Sequence, residues 1–147
     1  MLRSVSLSRA IPILTAFGVG WVVYMVGMVL TVYDGIASLI FQPMMAALWS
    51  SSVVLLSLLV GLLLRLRHIV QIWNGSTVWA ASIVGTSSFV LTFGYFLGMT
   101  FIVMNPETKQ QIVVLHPAAA LGTYFFLLFG ITNWPVRRPE PHARSTV

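Results

Sequence analysis

Thioether and imidazole groups are soft ligands, and once the apolar segments of this chain are laid across a membrane they gather toward one side. Met25, Met28, Met44, Met45, Met99 and Met104 fall in that layer with His116 and Asp34. Such a set suits Cu(I), or haem iron held by methionine and histidine. Met28, Met44, Met99, Met104 and His116 are therefore the candidate metal ligands, with Asp34 beside them. The competing reading is packing. Methionine fills irregular apolar gaps, Met44 and Met45 point to different faces of one helix, and neither Met-x-x-Met nor His-x-His spacing occurs.

Trp21 and Tyr24 form a second group, near the middle of the first apolar segment rather than at its ends. With Tyr95 or Phe96 opposite, they could line a pocket for a quinone, a pigment or a lipid. Trp21, Tyr24, Tyr95 and His116 are accordingly the candidate cofactor-binding residues, with copper or haem as the cofactors considered. Alternatively these rings pack in a bundle with their polar atoms bonded across helices. His68 and His116 fall on opposite sides of the bilayer, about 30 Å apart, so one haem cannot use both. The chain has no cysteine, which excludes disulfides, thiolate metal sites, cysteine nucleophiles and c-type haem attachment.

Asp34, Glu107 and Glu140 all lie at or beyond the ends of apolar segments, and no Lys or Arg interrupts one. Coupled pumps and charged pores keep ionisable groups inside the membrane, so this pattern argues against them. The polar groups that do enter are hydroxyls: Ser50, Ser51 and Ser52, then Thr86, Ser87 and Ser88. They could line a polar path, or each could bond the carbonyl one turn back. No catalytic, nucleotide-binding or metal-binding motif stands in the chain.

The elements that must position these residues follow from hydropathy. Hydrophobic residues make up 58% of the chain and charged residues 7%, against about 25% in soluble domains. Four spans are expected, at about 12–33, 43–64, 77–100 and 117–134, each near the 20 residues a crossing helix needs. They form one transmembrane domain over 1–134, followed by a polar tail over 135–147 that is expected to be disordered. The first segment imitates a secretory signal but is too long, which predicts a retained helix with Pro12 in its first turn.

Orientation comes from the basic residues. Arg3, Arg9, Arg65, Arg67, Arg137, Arg138 and Arg144 fall on one side and Lys109 on the other, which predicts both termini in the cytoplasm. Trp73, Trp79 and Trp134 fall at the same cytoplasmic boundary. The formal charge of +5 is scattered over segment ends, so it speaks for lipid head groups rather than nucleic acid.

Two outer segments resist a simple span reading. Over 34–43, either Asp34 caps a short interfacial helix or the second helix begins near Ile36 and kinks at Pro43. Over 101–116, two β-prone runs flank Asn105-Pro106-Glu107-Thr108-Lys109, which favours a short hairpin with the fourth helix starting at Pro117. Without a hairpin, that helix starts near Ile112 and the third runs toward Met104.

Small residues spaced four apart recur in every span: Ala16 and Gly20, Ser57 and Gly61, Ala81 and Gly85, Gly94 and Gly98, Ala118 and Gly122. In lipid, helices associate through such faces, within one bundle or against partner helices. The fold class expected is an all-α integral membrane protein with four transmembrane helices in a bundle. The leading functional expectation is a non-catalytic, accessory subunit of a larger membrane complex in a bacterial inner membrane. Its partners would be lipids and other membrane subunits or copies of itself. A small homo-oligomeric channel or carrier for a neutral or hydrophobic solute comes second, and outward-facing metal or haem handling third.

Overall fold

A computed structural model describes residues 2–31, 35–66, 77–104 and 109–135. Asp34, His68, Trp73, the expected turn at 74–75, Glu107 and the tail 136–147 lie outside the described residues. The elements in chain order are α1 (Leu2–Thr31), α2 (Gly35–Leu66), α3 (Thr77–Phe93), β1 (Thr100–Met104), β2 (Gln111–Leu115) and α4 (Pro117–Thr132). α1 and α2 contain the windows long and apolar enough to cross a membrane, Ala10–Met28 and Ile40–Leu64. α3 and α4 are apolar but shorter, at 17 and 16 residues.

Element boundaries depart from expectation where proline and glycine act. α1 starts at Leu2, so Pro12 lies inside the helix and not in its first turn. Proline deletes one backbone hydrogen bond, and the helix continues because helix-compatible residues flank it on both sides. α2 starts at Gly35 and runs through Pro43, which agrees with the arrangement in which the second helix begins near Ile36.

α3 ends at Phe93 rather than near 100 or 104. Gly94 is buried where an added Cβ would strike the Val90 carbonyl, and Gly98 takes φ +74°, a conformation that side chains disfavour. Backbone bonds from Met99 N to Gly94 O (3.0 Å) and from Gly98 N to Tyr95 O (3.3 Å) close the turn.

The hairpin is present. β1 and β2 pair antiparallel with Thr100 opposite Leu115, Ile102 opposite Val113 and Met104 opposite Gln111. At its base His116 N donates to Met99 O at 2.8 Å. His116 then caps α4, its Nδ1 accepting from Ala118 N at 3.3 Å, with Pro117 in the first helical position where its missing N–H costs nothing.

Cross-helix bonds set the helix directions. Trp21 on α1 reaches Pro43 on α2, and Ser50 on α2 reaches Phe17 on α1, so these two helices are antiparallel. Tyr124 meets Ser50 and Asn133 meets Ser57, so α4 runs parallel to α2. Gly130 lies against Val84 and Gly94 against Leu115, so α3 and α4 are antiparallel. α4 is the central helix, packed on α1, α2 and α3.

Ala16, Val54, Tyr124 and Leu128 make the core where α1, α2 and α4 meet. Outward, the helices present large apolar side chains, among them Leu14, Val22, Leu48, Leu55, Leu59, Leu63, Val78 and Phe89.

Candidate functional site

The methionine and histidine layer separates into parts. Met99 and His116 are neighbours at the base of the hairpin, whereas Met104 stands at the far end of β1. Met99 immediately precedes β1 and Met104 ends it, five positions on, about 17 Å at the rise of an extended strand. On α1 and α2, the bond from Trp21 Nε1 to Pro43 O (3.1 Å) sets the level of Met44. Met28 is seven residues beyond Trp21, so it lies about 10 Å nearer the C-terminal end of α1. Met44 is exposed and Met28 half-buried. His116 is exposed, with Nδ1 engaged as the cap and its ring edge-on to Phe101 at 5.7 Å. Among the described residues no three His, Cys, Asp or Glu side chains come together.

The aromatic candidates separate too. Trp21 is half-buried and spends its only hydrogen-bonding atom on the Pro43 carbonyl. Tyr24 is half-buried on α1. Tyr95 lies beyond the end of α3, exposed and in edge contact with Phe96.

The structure instead assembles a polar junction where α1, α2 and α4 cross. Ser50 Oγ donates to Phe17 O at 3.1 Å, Tyr124 OH donates to Gly20 O at 3.0 Å, and the two hydroxyls are 3.2 Å apart. Each hydroxyl carries one hydrogen, so two of the three contacts hold a hydrogen at any moment. Gly20 makes room: a Cβ there would strike Ser50 Oγ and come within 2.9 Å of the Tyr124 hydroxyl. Ser50 is fully buried and Tyr124 nearly so. In a low-dielectric interior these bonds join three helices, and an unpaired hydroxyl there would be costly.

A second junction closes the end at which α2 and α4 finish. Asn133 Nδ2 donates to Ser57 O on α2 at 3.1 Å and to Phe129 O on its own helix at 3.2 Å, using both amide hydrogens. Gly61 leaves the space that the Asn133 carboxamide fills. On α2 the Ser57 hydroxyl bonds Val53 O, one turn back, at 2.7 Å.

Several sequence expectations sort themselves against this geometry. Ser51 and Ser52 bond Ala47 O and Leu48 O, one turn back, but Ser50 departs from that pattern by crossing to α1 and α4. The pairs Ala16–Gly20 and Ser57–Gly61 lie buried at helix crossings. Ala81, Gly85 and Ala118 are exposed, Gly122 is half-buried with open space beside it, and Gly98 is not helical. Tyr124 and Asn133 were not anticipated. The available signal was chemical: a tyrosine and an asparagine in an otherwise apolar segment must find partners for their polar atoms.

What the two junctions do chemically is hold helices together. Hydroxyls and a carboxamide at these positions carry no charge near neutrality and are engaged with backbone carbonyls. Comparison with models of known families, with curated proteins and with solved structures gives no match to this chain.

Proposed function

We propose that this chain is a four-span membrane protein with both termini in the cytoplasm, acting as a non-catalytic subunit of a larger membrane complex. The observation that carries the reading is how the polar side chains between helices are used. Ser50, Tyr124, Trp21 and Asn133 are each bonded to the backbone of another helix. The outer surface is meanwhile covered with leucine, valine and phenylalanine, which suits lipid tails and neighbouring helices and not water.

The up-down-up-down helix order supports the topology, since it brings the start of α1, the end of α2, the start of α3 and the end of α4 to one end. Seven of the eight basic residues belong to that end by sequence position. α3 is followed by the closed turn at 94–98, and α4, whose 16 residues rise about 24 Å, is followed by the turn at Asn133, so each helix with its closing turn approaches the hydrocarbon thickness of about 30 Å. Packed chiefly on α4, α3 keeps a face free for partner helices. A bacterial inner membrane is the setting proposed, with lipids and other membrane subunits or further copies as partners.

Extraction from native membranes in mild detergent tests this. The chain is expected to migrate in a larger particle with other membrane polypeptides in fixed stoichiometry. A stable, monodisperse monomer under the same conditions overturns the proposal.

The second reading is a homo-oligomeric route for a neutral solute. It is favoured by the exposed Ser82, Thr86 and Ser88 on α3, which such an assembly would turn inward. Solute flux through vesicles reconstituted with the pure chain would support it, and flux equal to empty vesicles would remove it.

A further inference from the structure

The β1–β2 hairpin is apolar on both faces. Strand alternation places Phe101, Val103, Ile112 and Val114 on one face, and Ile102, Met104, Gln111 and Val113 on the other. On the second face Ile102 is 59%, Met104 62% and Val113 43% exposed, with Thr100 and Leu115 half-buried at the base. On the first Phe101 is 48% and Val103 40% exposed, with Ile112 and Val114 half-buried, so the second face is the more open of the two. A lone two-stranded hairpin is marginal in water, and one that offers this much apolar surface needs a covering.

Position constrains what covers it. The hairpin is held to the outer ends of α3 and α4 by the His116–Met99 bond and the closed turn at 94–98, so it cannot stand far from the level at which those helices end. It cannot sink into hydrocarbon either, because its two outer strand edges carry backbone groups that lipid tails leave unsatisfied. The interface meets both demands, hydrating the edges while side chains on one face reach the acyl boundary.

Two further features fit that layer. Tyr95 and Phe96 are exposed at the hairpin's base, and Phe96 at 81% is the most exposed of the large hydrophobic side chains described. Tyrosine, with a polar tip on an apolar ring, favours the head-group level, and the phenylalanine ring beside it offers apolar surface to the acyl boundary. Lys109, exposed just before β2 at the far end, offers an ammonium to lipid phosphates.

We infer that the hairpin is a lipid-binding element that lies on the outer membrane surface, with the Ile102, Met104 and Val113 face toward the acyl chains and Lys109 among the head groups. This rests on the membrane-spanning reading above.

The absence of cysteine makes the test direct. Single variants Ile102→Cys, Met104→Cys, Lys109→Cys and Leu59→Cys would be spin-labelled in the full chain and reconstituted in vesicles containing anionic phospholipid. Collision with oxygen, which concentrates in lipid, is compared with collision with a water-soluble nickel chelate. Leu59, exposed on α2 within its apolar window, is the reference.

Oxygen is expected to dominate at 102, 104 and 59, and the chelate at 109. Chelate access at 102 and 104 with lipid access at 59 overturns the hairpin inference alone. Chelate access at 59 as well overturns the membrane reading beneath it. Labels at 102 and 104 shielded from both probes mean that a protein surface covers the hairpin, a second copy included, and that also overturns the inference.

Discussion

Ser50 and Tyr124, 74 residues apart in the chain, meet hydroxyl to hydroxyl at 3.2 Å, and each also reaches a carbonyl of α1. Three helices therefore depend on one small polar cluster. Tyr124→Phe and Ser50→Ala are each expected to cost about 0.5–1.5 kcal/mol, the range for a buried hydrogen bond. Because the two share one contact, the double variant should cost less than the sum of the singles. Unfolding of the detergent-solubilised protein measures the cycle, and strict additivity would show that the two hydroxyls act separately.

Asn133 fills the notch at Gly61, so Gly61→Ala must displace the carboxamide from the Ser57 carbonyl. A loss of about 1–3 kcal/mol is expected, as for other overpacked interiors. Asn133→Ala made in the Gly61→Ala background should cost less than Asn133→Ala in the parent. Gly18 has open space around it, and Gly18→Ala should be neutral or stabilising by up to about 1 kcal/mol. Equal destabilisation by both alanines would argue against the notch.

His116 starts α4 through Nδ1, which accepts from Ala118 N. Replacing a cap with alanine typically costs about 0.5–2 kcal/mol, whereas asparagine preserves the acceptor. His116→Ala should lower the thermal midpoint and speed amide exchange in the first turn of α4, and His116→Asn should restore both. If asparagine and alanine behave alike, the ring's contact with Phe101 matters more than the cap.

The spread of the methionine layer carries its own expectation. With Met99 just before β1, Met104 at its far end and His116 engaged as a cap, purified protein exposed to Cu(I) under reducing conditions should retain no stoichiometric metal after desalting. One tightly held equivalent, lost in His116→Ala and in Met99→Ala, would restore a metal role for that corner.

Much of the architecture was legible in the residues. The hairpin could be read because its two β-prone runs are short, flank an Asn-Pro step and precede His116-Pro117, whose chemistry starts a helix. The early end of α3 was less legible, because Gly94 through Met104 remains apolar and hydropathy alone does not distinguish a helix from a turn and strand. Pro12 and Pro43 misled as boundary marks. An isolated proline costs a helix one bond, and long apolar flanks outweigh that loss.

The division for the junctions is sharper. Composition and periodicity by themselves determined that helices would dominate and that Asn, Tyr and Ser in apolar stretches would need partners, because those are local properties of each side chain. Only the tertiary structure decided which partner each took. Ser50 could have bonded one turn back like Ser51, and crosses to Phe17 and Tyr124 because Gly20 lets the helix backbones approach. Ala16–Gly20 and Ala81–Gly85 share the same spacing, yet the first is buried and the second exposed. Spacing places two small residues on one face, and the packing of α4 between α1, α2 and α3 determines which face is covered.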